Sequence, residues 1–176
     1  EVVSNVAVAG ASVEISQLCR LCPDVDLSEA LGDAVERGLL RVEQRLGRRA
    51  VDVAHPLIRS AVLDDLPLGR LSALHARAAE VASEPDRAVL HRLRSVIGED
   101  TPLAAAAIES ARVQLGEGWA LAAVEQLDAA ADVLPEGPLR NTALLLAAEG
   151  GLALGDVALS RSRLARVGDD GGPRER

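Results

Sequence analysis

The sequence contains no Phe, Tyr or Met, and its one Trp is Trp119. Any hydrophobic core must therefore be assembled almost entirely from Ala, Leu and Val. Such small side chains cannot plug a wide gap, so the elements that carry them have to approach one another closely. Ala and Leu are also among the strongest helix formers. Apolar residues make up 48 % of the 176 positions, enough for one sizeable core or two small ones. A mainly α fold is expected.

Periodicity and chain breakers divide the sequence further. Gly10 punctuates a first helix, and Ser12 is the expected N-cap of a second that runs through Leu18 and Leu21 to a break at Pro23. Ser28 is the expected cap of a third, with Leu31, Val35 and Leu39 at helical spacing and Gly38 near its end. Two short β-type runs, Leu40 to Glu43 and Ala50 to Val53, flank a Gly-containing loop and read as a hairpin. Three helices and a hairpin in that order make a winged-helix-like module over 1–54. Pro56 then opens a helix with Ile58, Ala61, Val62 and Leu66 as its buried stripe. A helix over 68–82 is expected to bury Leu71, Leu74, His75, Ala78 and Val81. Another over 86–97 is expected to bury Val89, Leu90, Leu93, Val96 and Ile97. These three make a helical bundle over 55–100, and Gly98 to Pro102 is the clearest internal boundary.

Beyond Pro102 the sequence nearly repeats. Ala107, Ala111, Gly118, Ala123, Leu127, Ala130 and Pro135 fall at the offsets of a tetratricopeptide-type helix pair. A shift of 37 residues, carrying Gly118 onto Gly155, gives Leu144, Ala148, Gly155, Ser160, Leu164 and Val167. The small residues allow close approach within each pair, with Leu127 and Leu164 filling the seam. These repeats are assigned to 101–167, and the tail 168–176, which has no apolar pattern, is expected to be disordered. Val2, Val3, Val6 and Val8 open the chain in mid-pattern without an initiating Met, so it is expected to be a piece of a longer polypeptide.

The net charge of −8 is the wrong sign for a general nucleic-acid binder. The third helix sharpens the point, since Asp26, Glu29, Asp33 and Glu36 face only Arg37, and such a surface repels phosphate. Arg41, Arg45, Arg48 and Arg49 around the hairpin loop, against Glu43, form a basic wing or a solvated turn. Cys19 and Cys22 have C-x-x-C spacing, but no second pair completes a zinc site, and His55, His75 and His91 are scattered. Two helical thiols are the simpler expectation, as are core or boundary positions for His75 and His91. His55 differs. It sits at a strand-to-helix junction before Pro56, where a helix N-terminus offers N–H groups and a positive dipole end to an anion. Capping of its own helix is the plainer role for the same residue. With no phosphate-binding loop, no nucleophile elbow and no paired catalytic carboxylates, an enzyme is not expected.

Three stretches carry a family resemblance: Val6 to Gly10, Ala34 to Leu40, and His55-Pro56-Leu57-Ile58-Arg59-Ser60-Ala61-Val62 followed by Arg70 and His75. To about Val167 the chain resembles the middle of large LuxR-type transcriptional regulators, signal-transducing ATPases of the MalT-like (STAND) kind abundant in actinobacteria. Val53 and Leu63 stand where such regulators often carry an aromatic and a tyrosine. The resemblance implies a winged helix and a helical-repeat arm between a nucleotide-binding domain and a C-terminal DNA-binding helix-turn-helix, both outside this sequence. ATP or ADP would bind the parent and not this segment, and His55 would be the residue that contacts the β-phosphate of bound ADP. The partners implied are those two domains, with an inducer or a protein on the repeat arm. A cytoplasmic location is expected, with no membrane and no direct DNA contact. Two other functions fit the same residues: a free-standing tetratricopeptide-like scaffold and a winged-helix repressor, the latter opposed by the acidic third helix.

Overall fold

The computed structural model describes residues 1–10, 12–45 and 47–168, without the side chain of Arg45. They form a mostly helical chain with one small antiparallel sheet of three strands, divided into two compact units, Glu1–Ser95 and Val96–Arg176.

The first unit runs α1 (Val2–Ala9), β1 (Val13–Glu14), α2 (Ile15–Leu21), α3 (Leu27–Glu36), β2 (Leu40–Arg45), β3 (Arg48–Val53), α4 (Pro56–Asp64), α5 (Leu68–Val81) and α6 (Pro85–Ser95). β3 is central, with β1 and β2 antiparallel on either side. Val13 pairs with Val51 on one edge, and Leu40 with Val53 on the other. Val51 and Val53 turn inward against Val6, Val8, Leu18, Leu21 and Leu40. Leu74 and Ala78 of α5 belong to the same cluster, and Val62, Leu63 and Leu66 pack at its rim. α4 and α5 therefore close one core with the strands.

Several local expectations are corrected. Ser12 does not cap α2: β1 pairing holds the chain extended there, and Glu14 is the cap, in a reciprocal capping box with Gln17. Ser12 Oγ is buried with no partner among the described residues. Asp26, not Ser28, caps α3, its Oδ1 accepting from the Ser28 and Glu29 N–H groups at 3.0 and 3.3 Å. A carboxylate is a strong acceptor and favours the positive end of the helix. On α3 it is Ala34 that is buried, while Val35 is exposed. The hairpin is tighter than expected, with six-residue strands. Ala61 points to solvent and Leu63 takes a place at the core rim. α6 ends at Ser95, which leaves Ile97 exposed.

The second unit is α7 (Thr101–Gly116), α8 (Ala120–Asp132), α9 (Pro138–Ala153) and α10 (Val157–Leu164). Its two tight turns match at the 37-residue offset, bond for bond. Gly118 and Trp119 donate to Leu115 O and Gln114 O, and Gly155 and Asp156 donate to Leu152 O and Gly151 O. Both glycines are left-handed, φ +87° and +75°, as this helix ending requires. The interior is Ala104, Ala107, Ile108, Ala111, Ala123, Leu127, Ala130, Leu144, Ala147 and Ala148. Two helical glycines mark the closest approach. A Cβ on Gly150 would lie 2.6 Å from Val124 Cγ2, and one on Gly151 2.6 Å from Ser160 Oγ.

Polar groups lock this alanine-rich interior. Gln126, fully buried, donates to Ala107 O at 2.7 Å and accepts from Gln114 Nε2 at 3.4 Å. Arg163 reaches both carboxylate oxygens of Asp128 across the α8–α10 gap. Leu164 is not in the seam with Leu127; it is half exposed, because nothing among the described residues packs outside α10. Of the expected disordered tail, 168–176, all but Gly168 lies outside the described residues. Gly168 bonds the Asn141 side chain through both its N–H and its carbonyl, at 3.0 and 3.1 Å.

Candidate functional site

His55 follows the last residues of β3 in extended conformation, φ −149° and ψ 144°, and is the N-cap of α4. Its Nδ1 accepts the Leu57 N–H at 3.1 Å. The first turn is otherwise self-contained: Pro56 has no N–H, and Ile58 N donates to His55 O at 3.0 Å. The free backbone donors expected at this helix end are thus already taken. What remains is the ring. A neutral imidazole that accepts at Nδ1 carries its proton on Nε2, and His55 is exposed. One turn on, Arg59 donates to Gly10 O and pairs with Asp52 Oδ1 at 3.1 Å. Asp52 also takes Arg41 at 3.4 Å. The base of α4 is thereby braced to β3 and to the end of α1, presenting one outward imidazole N–H on a fixed support.

His75 of α5 and His91 of α6 are brought face to face, with their Nδ1 atoms 3.0 Å apart and ring centroids 5.2 Å apart. Both are buried. Burial pushes each imidazole down to about 4. The Arg94 guanidinium adds to this at His75, and His75, Arg87 and Arg94 add to it at His91. Both rings are therefore neutral near neutral pH, and one Nδ1–H donates to the other's lone pair, so the two are opposite tautomers. Their buried positions agree with the core or boundary placement expected from the sequence, in which their pairing is not visible. The only trace was that both sit on apolar stripes of consecutive helices. His91 also lines a groove of about 300 Å³ with Val13, Gln17, Leu21, Ser83 and Arg87. Gln17 Nε2 donates to Ser83 Oγ at 2.7 Å along that groove.

The other candidates are not assembled into a site. Cys19 is exposed and Cys22 buried, both as free thiols. Burial, reinforced by the Glu1 carboxylate, raises the Cys22 thiol above its ordinary value and keeps it protonated. Among the described residues no group of three or more His, Cys, Asp or Glu is placed to hold a metal ion. Of the hairpin arginines, Arg41 is paired with Glu43 and Asp52 and Arg48 with Glu14 at 3.0 Å, while Arg49 is exposed without an ion pair among the described residues. The side chain of Arg45 lies outside the described residues. On α3, Arg37 is paired with Asp33 at 2.8 Å, so Glu29 and Glu36 face solvent unopposed on that helix. No helix among the described residues is long and apolar enough to cross a membrane. No protein-family model matches the chain, and neither a curated protein nor a solved structure is detectably similar to it.

Proposed function

We propose that the chain is a signal-coupling segment of a LuxR-type, ATP-dependent regulator: a winged helix and a helical-repeat arm that relay the nucleotide state of a neighbouring ATPase domain to a distant DNA-binding domain. The observation that carries this reading is the connectivity of the first unit. A helix, a short strand, two helices and a hairpin whose last strand lies in the middle of the sheet have the order of a winged helix. In DNA-binding relatives of that architecture the helix before the hairpin enters the major groove. Here that helix is α3, whose carboxylates repel phosphate, so the module acts as a coupling element and not a DNA reader. The matched turns of the second unit support a tetratricopeptide-like arm. ATP hydrolysis and promoter binding belong to the flanking domains, in the cytoplasm, and this segment catalyses nothing.

His55 is the contact through which the segment would feel the nucleotide. Its Nδ1 is fixed by its own helix, and the outward Nε2–H is a donor of the kind a β-phosphate oxygen accepts. The test is His55→Ala in the intact parent. One charge-assisted hydrogen bond is worth about 1.5–3 kcal/mol, so ADP affinity should fall about tenfold to a hundredfold. The population should move toward the open form, with transcription activated at lower inducer concentration. Unchanged ADP affinity and inducer response return His55 to a capping role. A coding sequence lacking a phosphate-binding loop upstream and a helix-turn-helix downstream overturns the whole reading in favour of a free-standing scaffold.

A further inference from the structure

The register that superposes the two turns also compares the two outer faces of the repeat. On α7 and α8 the face that receives α9 includes Leu115, Val124 and the main chain at Ala120, all within 4 Å of where a Gly150 Cβ would stand. Ile108 lies two turns before Leu115, and Leu127 one turn after Val124. Moved by 37 residues, Ile108, Leu115, Val124 and Leu127 become Leu145, Leu152, Arg161 and Leu164. Ile108 and Leu127 are 1 % and 0 % exposed, whereas Leu145 and Leu164 are each 50 % exposed and Leu152 is 60 % exposed. The second pair thus repeats a helix-receiving surface, and among the described residues it is bare.

The charges on that surface say what covers it. Glu149 lies between Leu145 and Leu152 on the same stripe of α9, and Arg161 lies one turn before Leu164 on α10. The two helices are tied side by side by Ser160 Oγ donating to Ala148 O at 2.8 Å, so the residues that follow these two, Glu149 and Arg161, lie on neighbouring helices close to that contact. Both are exposed, and neither has an ion-pair partner among the described residues. A face carrying an anion and a cation on opposite ridges, beside an apolar centre, is self-complementary.

We propose that this face is the interface of a symmetric homodimer, in which the α9–α10 pairs of two copies stack about a two-fold axis. The leucines meet across the axis, and Glu149 of each copy meets Arg161 of the other. An isologous contact requires that the same patch serve both subunits, and this one has both halves of the ion pair. The assignment is independent of the regulatory function proposed above.

Sedimentation of the whole chain tests it. Wild type should pass from monomer to dimer with rising concentration, and Leu145→Glu/Leu152→Glu should remain monomeric with an unchanged helical circular dichroism spectrum. The decisive experiment mixes two charge reversals. Glu149→Arg alone sets arginine against arginine and Arg161→Glu alone sets glutamate against glutamate, so each should self-associate at least tenfold more weakly than wild type. Mixed together, both contacts become attractive, and the heterodimer should form with close to wild-type affinity. A wild-type monomer up to millimolar concentration overturns the proposal. So does dimerisation that is indifferent to the leucine and charge variants, or a mixture no tighter than its components.

Discussion

Acidification should unfold the first unit through its histidine pair. His75 and His91 have ordinary values near 6.5 when unfolded and are lowered to about 4 in the fold. A base whose folded value is depressed favours folding above its unfolded value, and that stability is lost as pH falls through the window toward the folded one. Between 6.5 and 4 the unfolded chain binds the protons first, so stability declines throughout that range and levels off below it. By linkage, a ring lowered from 6.5 to about 4 loses about 2 kcal/mol of stabilisation from near pH 7 to near pH 5, and the coupled pair loses more than one ring alone. The geometry adds a reason for the direction: a second proton would set two Nδ1–H donors against each other at 3.0 Å. Urea unfolding followed by circular dichroism at the two pH values measures the loss. His75→Leu/His91→Leu, which leaves neither ring to protonate, should abolish most of it. An equal loss in wild type and double variant, or none in wild type, refutes the reasoning.

Other outcomes follow from features already described. Gly150→Ala gains helix propensity but drives a methyl to 2.6 Å from Val124 Cγ2. The second unit should therefore be less stable by about 1–2 kcal/mol, read from its thermal transition. Cys19→Ala/Cys22→Ala should keep its helical spectrum and lose about 1 kcal/mol, all from the buried Cys22. Stoichiometric zinc in the purified wild type, with unfolding by a chelator, contradicts that expectation. In a gel shift the isolated chain should show no sequence-selective, salt-resistant retention of duplex DNA, because the exposed carboxylates of α3 repel phosphate. Arg163→Ala should cost about 1–3 kcal/mol by leaving Asp128 half buried without its bidentate partner, and Asp128→Asn should cost less.

The sequence made the helices legible and their environments less so. Apolar spacing located α5, α6 and the helices of the second unit because one stripe of each is sequestered, and that stripe sets the pattern. Spacing does not reveal whether anything lies opposite the stripe, which is why Ile97 and Leu164, expected inside, are exposed. Caps were misplaced by two residues for a different reason. Ser12 and Ser28 are good caps in isolation, but strand pairing of Val13 and Glu14 delays the helix start past the first, and the stronger acceptor Asp26 displaces the second. β1 is two residues long, too short for an alternating pattern to register at all. For the candidate site, the junction at His55 could be read from His-Pro after a strand. The pairing of His75 with His91 could not, because it depends on how the α5–α6 hairpin is rotated.

The buried Gln126 has a consequence for how this chain finds one alignment. Helices faced with alanine are nearly smooth rods, and sliding one along another by a turn, about 5.4 Å, exchanges one methyl contact for an equivalent one. Bulky side chains normally forbid such slippage by shape, and this chain has few. A primary amide that must reach the Ala107 carbonyl acts as an index pin. Displaced by a turn, it would be stranded in a dry interior at a cost of about 1–3 kcal/mol, so a single hydrogen bond selects among arrangements that dispersion alone would leave nearly degenerate.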